Sequence, residues 1–242
     1  MGMPITVEVL DKNVTENALE KIFDYFIYID NKFSPFKKGS EVSLINEKKI
    51  KFQDFSTDMK TVLKLSEQTR KETDGYFDIK RPDGKINPLG LVKGWAIFNA
   101  AKLLKKMGFK NYYVDAGGDI QVNGKNKQGK AWRVGIKNPF NQKENIKVLH
   151  LTSCGVATSG TYIRGQHIYN PHAPGLNITD IVSLTVIGPN VYEADRFATP
   201  AFAMGKRGIE FVENLPDFEG YMIDKNGVAT MTSGFEKYTI EL

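Results

Sequence analysis

Helical periodicity fills most of the chain up to Met107, and strand-like alternation takes over beyond it. Apolar residues recur at helical spacing from Val14 to Phe33 (Leu19, Ile22, Phe23, Phe26, Ile27), from Phe55 to Lys71 (Met59, Val62, Leu63, Leu65) and from Lys93 to Met107 (Ile97, Ala100, Ala101, Leu104, Met107). Before them, Ile5 to Leu10 alternates as a strand does. After them NYYVDAGGDIQVNG, AWRVGIKNP, KVLHLTS and HIYNP read as successive strands joined by Gly/Asn turns. A helix pair near Val191 to Leu215 and closing strands near Tyr221 and Thr230 complete the pattern. Helices and strands are thus partly segregated, without a sustained βαβα alternation. This predicts an α+β fold, an antiparallel-rich sheet flanked by helices, rather than a doubly wound parallel sheet. SPFKKGSEVSLIN reads as polar and turn-rich, and TDGYFDIKRPDGKINPLG, full of breakers, as loop. No repeat, low-complexity run or composition break divides the sequence, so residues 1–242 are expected to form one compact domain.

Composition narrows the function classes. With 41% hydrophobic and 25% charged residues, the chain reads as an ordinary folded globular protein. The net charge of +5 suits an anionic ligand, but the lysines are scattered among acids and do not call for nucleic acid. The densest basic piece, Lys125, Lys127 and Lys130, is expected at a hairpin tip. A single cysteine, Cys154, excludes an intramolecular disulfide and a cysteine-built zinc site; its expected role is a small buried hydrophobe. No apolar run approaches the ~18 residues of a membrane span. MGMPITVEVL shows no charged n-region, apolar h-region or lipid-accepting cysteine, so the expectation is cytoplasmic as the chain reads, and periplasmic or exported if the N-terminus has been trimmed.

Chemistry concentrates between Gly155 and Gly205. Gly188-Pro189-Asn190 breaks a strand, Asn190 can cap, and Glu193 follows three residues later as in a capping box, so the chain from Val191 should be helical. Asp195 and Thr199 then share a face, four residues apart. A carboxylate and a hydroxyl so placed offer two oxygens to a hard cation such as Mg²⁺, which takes few protein ligands and fills its shell with water and phosphate. The plainer alternative makes Asp195 a surface acid and Thr199 a packed β-branched residue. Pro200 predicts a kink beside Thr199, because it lacks the amide for the Arg196 carbonyl and disfavours αR at the preceding residue. His167 follows a small-residue turn (Ala157, Thr158, Ser159, Gly160) and stands at a strand end. There an imidazole can reach a pocket as a general base, or be a satisfied structural histidine. His150 reads as a sheet residue and His172 as an exposed loop residue. In DAGGDI, two successive glycines permit positive φ and close approach of a ligand, or simply a tight turn.

Taken together, GVATSGTYIRGQHIYNP, EADRFATPAFAMG, VDAGGDI, SEVSLIN and PLGLVKGWA resemble, in order and approximate spacing, the FAD:protein FMN transferases of the ApbE family. The resemblance runs from MGMPITVEV to the closing TSGF. It implies an ApbE-like, T-fold-related domain that splits FAD at its pyrophosphate with Mg²⁺. FMN would pass through a phosphoester to a Thr or Ser hydroxyl of an acceptor flavoprotein that carries a flavinylation motif, with release of AMP. It further implies metal binding by Asp195, Thr199 and the backbone carbonyl of Gly90 in the PLGLVKG loop, with His167 as general base. For the flavin nucleotide it points to Met1, Phe36, the Tyr76-Phe77-Asp78 backbone, Asn87, Lys93, the Gly117-Gly118-Asp119 turn and Ser159.

Departures from the family pattern are local. Asn87 stands where relatives often have Asp, Phe36 where many have Tyr, and Arg196 and Pro200 at positions usually small; the insert after the FD of TDGYFDI is short. Two alternative activities fit the same residues: hydrolysis of FAD to FMN and AMP, or flavin binding without catalysis.

Overall fold

A computed structural model describes residues 2–161, 165 and 168–240. In chain order its elements are β1 (Ile5–Val9), α1 (Glu16–Phe33), α2 (Glu41–Asn46), α3 (Thr57–Glu72), α4 (Leu89–Lys106), β2 (Tyr112–Ala116), β3 (Asp119–Asn123), β4 (Trp132–Lys137) and β5 (Asn145–Leu151). They continue with β6 (Gly155–Gly160), β7 (Ile181–Gly188), α5 (Val191–Ala203), α6 (Gly208–Glu213), β8 (Glu219–Asp224) and β9 (Ala229–Met231).

Seven strands make one sheet in the order β1-β2-β3-β6-β7-β8-β9, every pairing antiparallel, while β4 and β5 pair only with each other. The expected α+β class with an antiparallel sheet is therefore what the chain adopts. Successive strand residues point to opposite faces, and that alternation divides the sheet into two cores. Ala157, Leu184, Val186 and Met222 pack under α5 and α6, and Val114 and Ala116 under α1 and α4. Their neighbours Val156, Ile187, Tyr221 and Ile223 face the other way, onto Trp132, Val134, Ile136, Leu149 and Leu151 of the β4–β5 ribbon. The strict buried–exposed alternation of β4 follows from lying on the sheet with one face only.

Polar side chains fix the helix starts. Thr15, Ser40, Ser56 and Asn190 each accept an N–H of the first turn of α1, α2, α3 and α5, a bond worth about 1 kcal/mol per cap. The α5 start is tied twice, since Gln121 Oε1 accepts the Val191 N–H at 2.8 Å. Phe202, fully buried on the sheet-facing side of α5, contributes about 1.5–3 kcal/mol by burial alone.

Several local expectations give way. The stretch 157–160 is not a turn but part of β6, where Gly155 admits the start of α5: a Cβ there would stand 1.9 Å from the Val191 nitrogen. Residues 168–171 form no strand; Tyr169 instead donates its hydroxyl to the Asp78 carbonyl at 3.1 Å. SEVSLIN is a Ser40-capped helix rather than turns. Residues 124–131, expected as a hairpin tip, connect strands of different sheets. The helix expected from Lys93 begins at Leu89, so PLGLVKG is its first turn and not a loop. Pro200 lies inside α5, which runs on to Ala203, and the Pro200 carbonyl accepts the Met204 N–H.

Candidate active site

Helices α4 and α5 cross against the sheet beside the β2–β3 turn, and glycines set how closely. A Cβ on Gly94 would stand 2.6 Å from the Asp195 Cβ and 2.8 Å from the Val191 carbonyl oxygen. With only hydrogen there, Gly94 donates its N–H to Asp195 Oδ2 at 2.7 Å. Regular helix geometry directs that same N–H at the carbonyl of Gly90, so carbonyl and carboxylate converge on one donor. Gly90 lies against Thr199: its Cβ position is 3.7 Å from Thr199 Cγ2 and 3.8 Å from Oγ1, with Phe77 at 3.4 Å.

Asp195 is buried at 3% exposure, so the surface-acid alternative does not hold. Burial raises its carboxyl above the ordinary carboxylate range; Lys93 opposes the rise and Asp119 adds to it. Lys93 Nζ lies 2.5 Å from Asp119 Oδ2 and 3.8 Å from Asp195 Oδ1, so one ammonium serves two buried acids. Asp119 belongs to β3 rather than to the open turn, and its Oδ1 accepts the Thr158 N–H at 3.2 Å. In the turn itself Gly117 and Gly118 take φ of +64° and +93°, values that L side chains rarely adopt.

The remaining residues named from the sequence divide. Phe77 joins the Gly90–Thr199 contact, whereas Tyr76 stacks on His172 at 4.4 Å and accepts from Arg207 at 2.6 Å. The Asp78 carboxylate closes a turn onto the Lys80 N–H. Asn87, just ahead of Pro88, the N-cap of α4, accepts the Leu89 N–H on its Oδ1 at 3.2 Å. Ser159 is buried within β6, next to Thr158, and Phe36 is 84% exposed on the turn before α2. Met1 and His167 lie outside the described residues.

Three features have roles that the motifs do not disclose. Gly94 of PLGLVKGWA is one, although its spacing of four from Gly90 signals a close helix approach. Arg196 is another: 7% exposed, it binds Glu72 of α3 and Glu193 of its own helix and lies 3.9 Å over the Phe197 ring, tying α5 to α3. The third is a cavity of about 240 Å³ between the β2–β3 turn and β4, with Tyr113, Asp115, Gly118, Arg133, Lys137 and Thr158 in its wall.

Gly90, Asp195 and Thr199 supply a carbonyl, a carboxylate and a hydroxyl, all hard oxygen donors of the kind Mg²⁺ takes. Among the described residues no group of three or more His, Cys, Asp or Glu could hold a metal ion, so a cation here would depend on this mixed set.

A sequence model of the ApbE family matches residues 1–81 and 79–222. An FAD:protein FMN transferase of Escherichia coli strain K12 is 29% identical over 161 residues, covering 63% of this chain and 46% of its own length. The FAD:protein FMN transferase of Vibrio cholerae serotype O1 is 32% identical over 142 residues, covering 54% and 42%. The match to these curated relatives thus spans less than half their length. In three dimensions the chain resembles the flavin transferase ApbE from Vibrio cholerae, with a TM-score of 0.85, 22% identity and coverage of 98% and 96%. It also resembles the ApbE protein of Thermotoga maritima, with a TM-score of 0.88, 22% identity and coverage of 99% and 97%.

Proposed function

The chain belongs to the ApbE family, and we propose that it transfers FMN from FAD to a Thr or Ser hydroxyl of an acceptor flavoprotein. The observation that carries this reading is the convergence of Gly90, Thr199, Asp195, Lys93 and Asp119 where α4 meets α5 beside the β2–β3 turn. In the proposed reaction the acceptor oxygen bonds to the phosphorus on the FMN side of the pyrophosphate. The bond from that phosphorus to the bridging oxygen breaks, AMP leaves with its electron pair, and the hydroxyl proton passes to a base.

Each residue then has a task. Gly90, Asp195 and Thr199 would hold Mg²⁺. When bound, the ion neutralises the two phosphates and the charge that develops on the departing AMP. Lys93 sets one further positive charge beside the phosphates and keeps Asp119 and Asp195 from facing each other uncompensated. The glycines of the β2–β3 turn let backbone approach the nucleotide closely. His167 is assigned the base on the strength of the family resemblance, and a base so placed typically contributes ~10²–10⁴-fold. Most of the remaining acceleration is assigned to holding hydroxyl and phosphorus in line.

Incubation of the pure protein with FAD, Mg²⁺ and a threonine-containing acceptor domain separates the readings. Fluorescent flavin that stays on the acceptor after denaturation is the expected result. AMP and free FMN without labelled acceptor would make the protein a hydrolase, and intact bound FAD would make it a carrier.

A further inference from the structure

The β4–β5 region holds more than the whole of the chain's positive charge excess. Residues 124–150 contain seven lysines and arginines (Lys125, Lys127, Lys130, Arg133, Lys137, Lys143, Lys147) against one acid, Glu144, whereas the whole chain has 33 against 28. Everything outside this segment is therefore one charge on the acidic side of neutral. The excess is local, and it lies on the ribbon that stands over the β2–β3 turn.

Two of these cations have a defined setting. Arg133 and Lys137 occupy outward positions of β4 and line the cavity of about 240 Å³ whose opposite wall is Asp115, Gly118 and Thr158. Among the described residues neither side chain has an ion-pair partner, unlike Lys127 with Glu8 and Lys147 with Glu236. Four residues along a strand span roughly 13 Å, the spacing of acidic side chains at i and i+4 of an extended peptide. Thr158, in the cavity wall, donates its N–H to Asp119, and Asp119 is the ion-pair partner of Lys93. Whatever fills the cavity is one residue away from the group assigned to the phosphates.

We propose that Arg133 and Lys137 on the ribbon side of this cavity dock an acidic segment of the acceptor protein, beside the β2–β3 glycines assigned to the nucleotide, and so deliver its hydroxyl to the site, an inference that rests on the flavin-transfer reading. Charge on such a rim acts mainly on encounter and salt dependence. The chemistry of the occupant follows from the wall: unpaired cations call for carboxylates, and the extended β4 backbone suits an extended segment.

The test compares wild type, the double variant Arg133→Glu/Lys137→Glu and the control Lys12→Glu, which reverses an exposed charge on the β1–α1 turn. With an acceptor domain whose flavinylation motif is flanked by acidic residues, the double variant should raise the acceptor KM roughly tenfold or more. Its KM for FAD and its thermal midpoint should stay at wild-type values. Added salt should raise the acceptor KM of wild type and leave that of the double variant nearly flat. An unchanged acceptor KM overturns the proposal, and so does a rise in the KM for FAD, which would put nucleotide in the cavity.

Binding reads the same surface without catalysis. A fluorescent peptide with one threonine between glutamates should bind wild type and lose affinity for the double variant by a similar factor. No binding to wild type, or tighter binding of a single-stranded oligonucleotide, overturns the proposal. Absence of any transfer while the peptide still binds would fault the flavin-transfer reading and leave the surface assigned to acidic peptide.

Discussion

Gly94 donates its backbone N–H to Asp195 Oδ2 across 2.7 Å, and a Cβ on Gly94 would stand 2.6 Å from the Asp195 Cβ. One residue thus sets both the position of the proposed metal-binding carboxylate and the separation of the helices that carry the site. Gly94→Ala should force α4 and α5 apart, at a cost of about 1–3 kcal/mol for an overpacked contact. It should also weaken flavin transfer in protein that remains folded. Urea unfolding with assays below the transition checks this; a change under ~0.5 kcal/mol with full activity would remove the role assigned to Gly94.

Lys93 is the compensating charge for two buried acids. Lys93→Met should destabilise the protein by ~3–5 kcal/mol, the cost of leaving a buried charge without its partner. Lys93→Met/Asp119→Asn should recover much of that loss without restoring transfer. If the double variant proved as unstable as the single one, the pairing would not be what stabilises the fold.

Arg196 bridges α5 to Glu72 of α3. Although burial pushes the Glu72 carboxyl up, hydrogen bonds from Arg196 and Gln68 hold it below its ordinary value. A depressed carboxyl pKa contributes stability that is present above the ordinary glutamate range and is lost as the pH falls through the folded value. Arg196→Met should therefore cost about 1–2 kcal/mol at pH 7, a figure reduced because Glu72 is 39% exposed. The difference from wild type should shrink as pH falls below ~4. Guanidinium unfolding at pH 7 and pH 3.5 measures both; a deficit that stays constant with pH would remove the Glu72 link.

Burial pushes the Cys154 thiol up to about 11. Only the thiolate attacks a disulfide reagent, so at pH 8 about one molecule in a thousand is reactive on this account. Labelling of the folded protein should be slow and rise nearly tenfold per pH unit, whereas in urea it should be fast. Rapid labelling of folded protein at pH 7 would show an accessible, ordinary thiol.

Periodicity carried much of this fold. The apolar spacing of α3 and the alternation of β2 and β4 correspond to faces that meet a core, and Asn190 caps α5 as its position before an apolar run implies. In α1 the reading holds for Ile22 and Phe26, whereas Phe23 and Ile27 of the same stripe are exposed and Ala18, Ile29 and Phe33 complete the buried face. The misreadings have local causes. Small residues in 157–160 suggested a turn because sequence shows their size but not the helix start packed against Gly155 of the same strand. Of the site, Gly90, Lys93, Asp119, Asp195 and Thr199 were legible as separate motifs, but their contacts join residues about a hundred positions apart. The contacts of Gly94 and Arg196 were not legible because close approach and a buried ion pair are properties of two elements together.

The most direct measurement of the central claim is the mass of an acceptor domain after incubation with FAD and Mg²⁺, with wild type beside Asp195→Ala. The account predicts that wild type adds one FMN to a threonine or serine of the acceptor, with one AMP released per label, and that Asp195→Ala, though folded, adds almost none. An unlabelled acceptor with wild type, or equal labelling by Asp195→Ala, would contradict it.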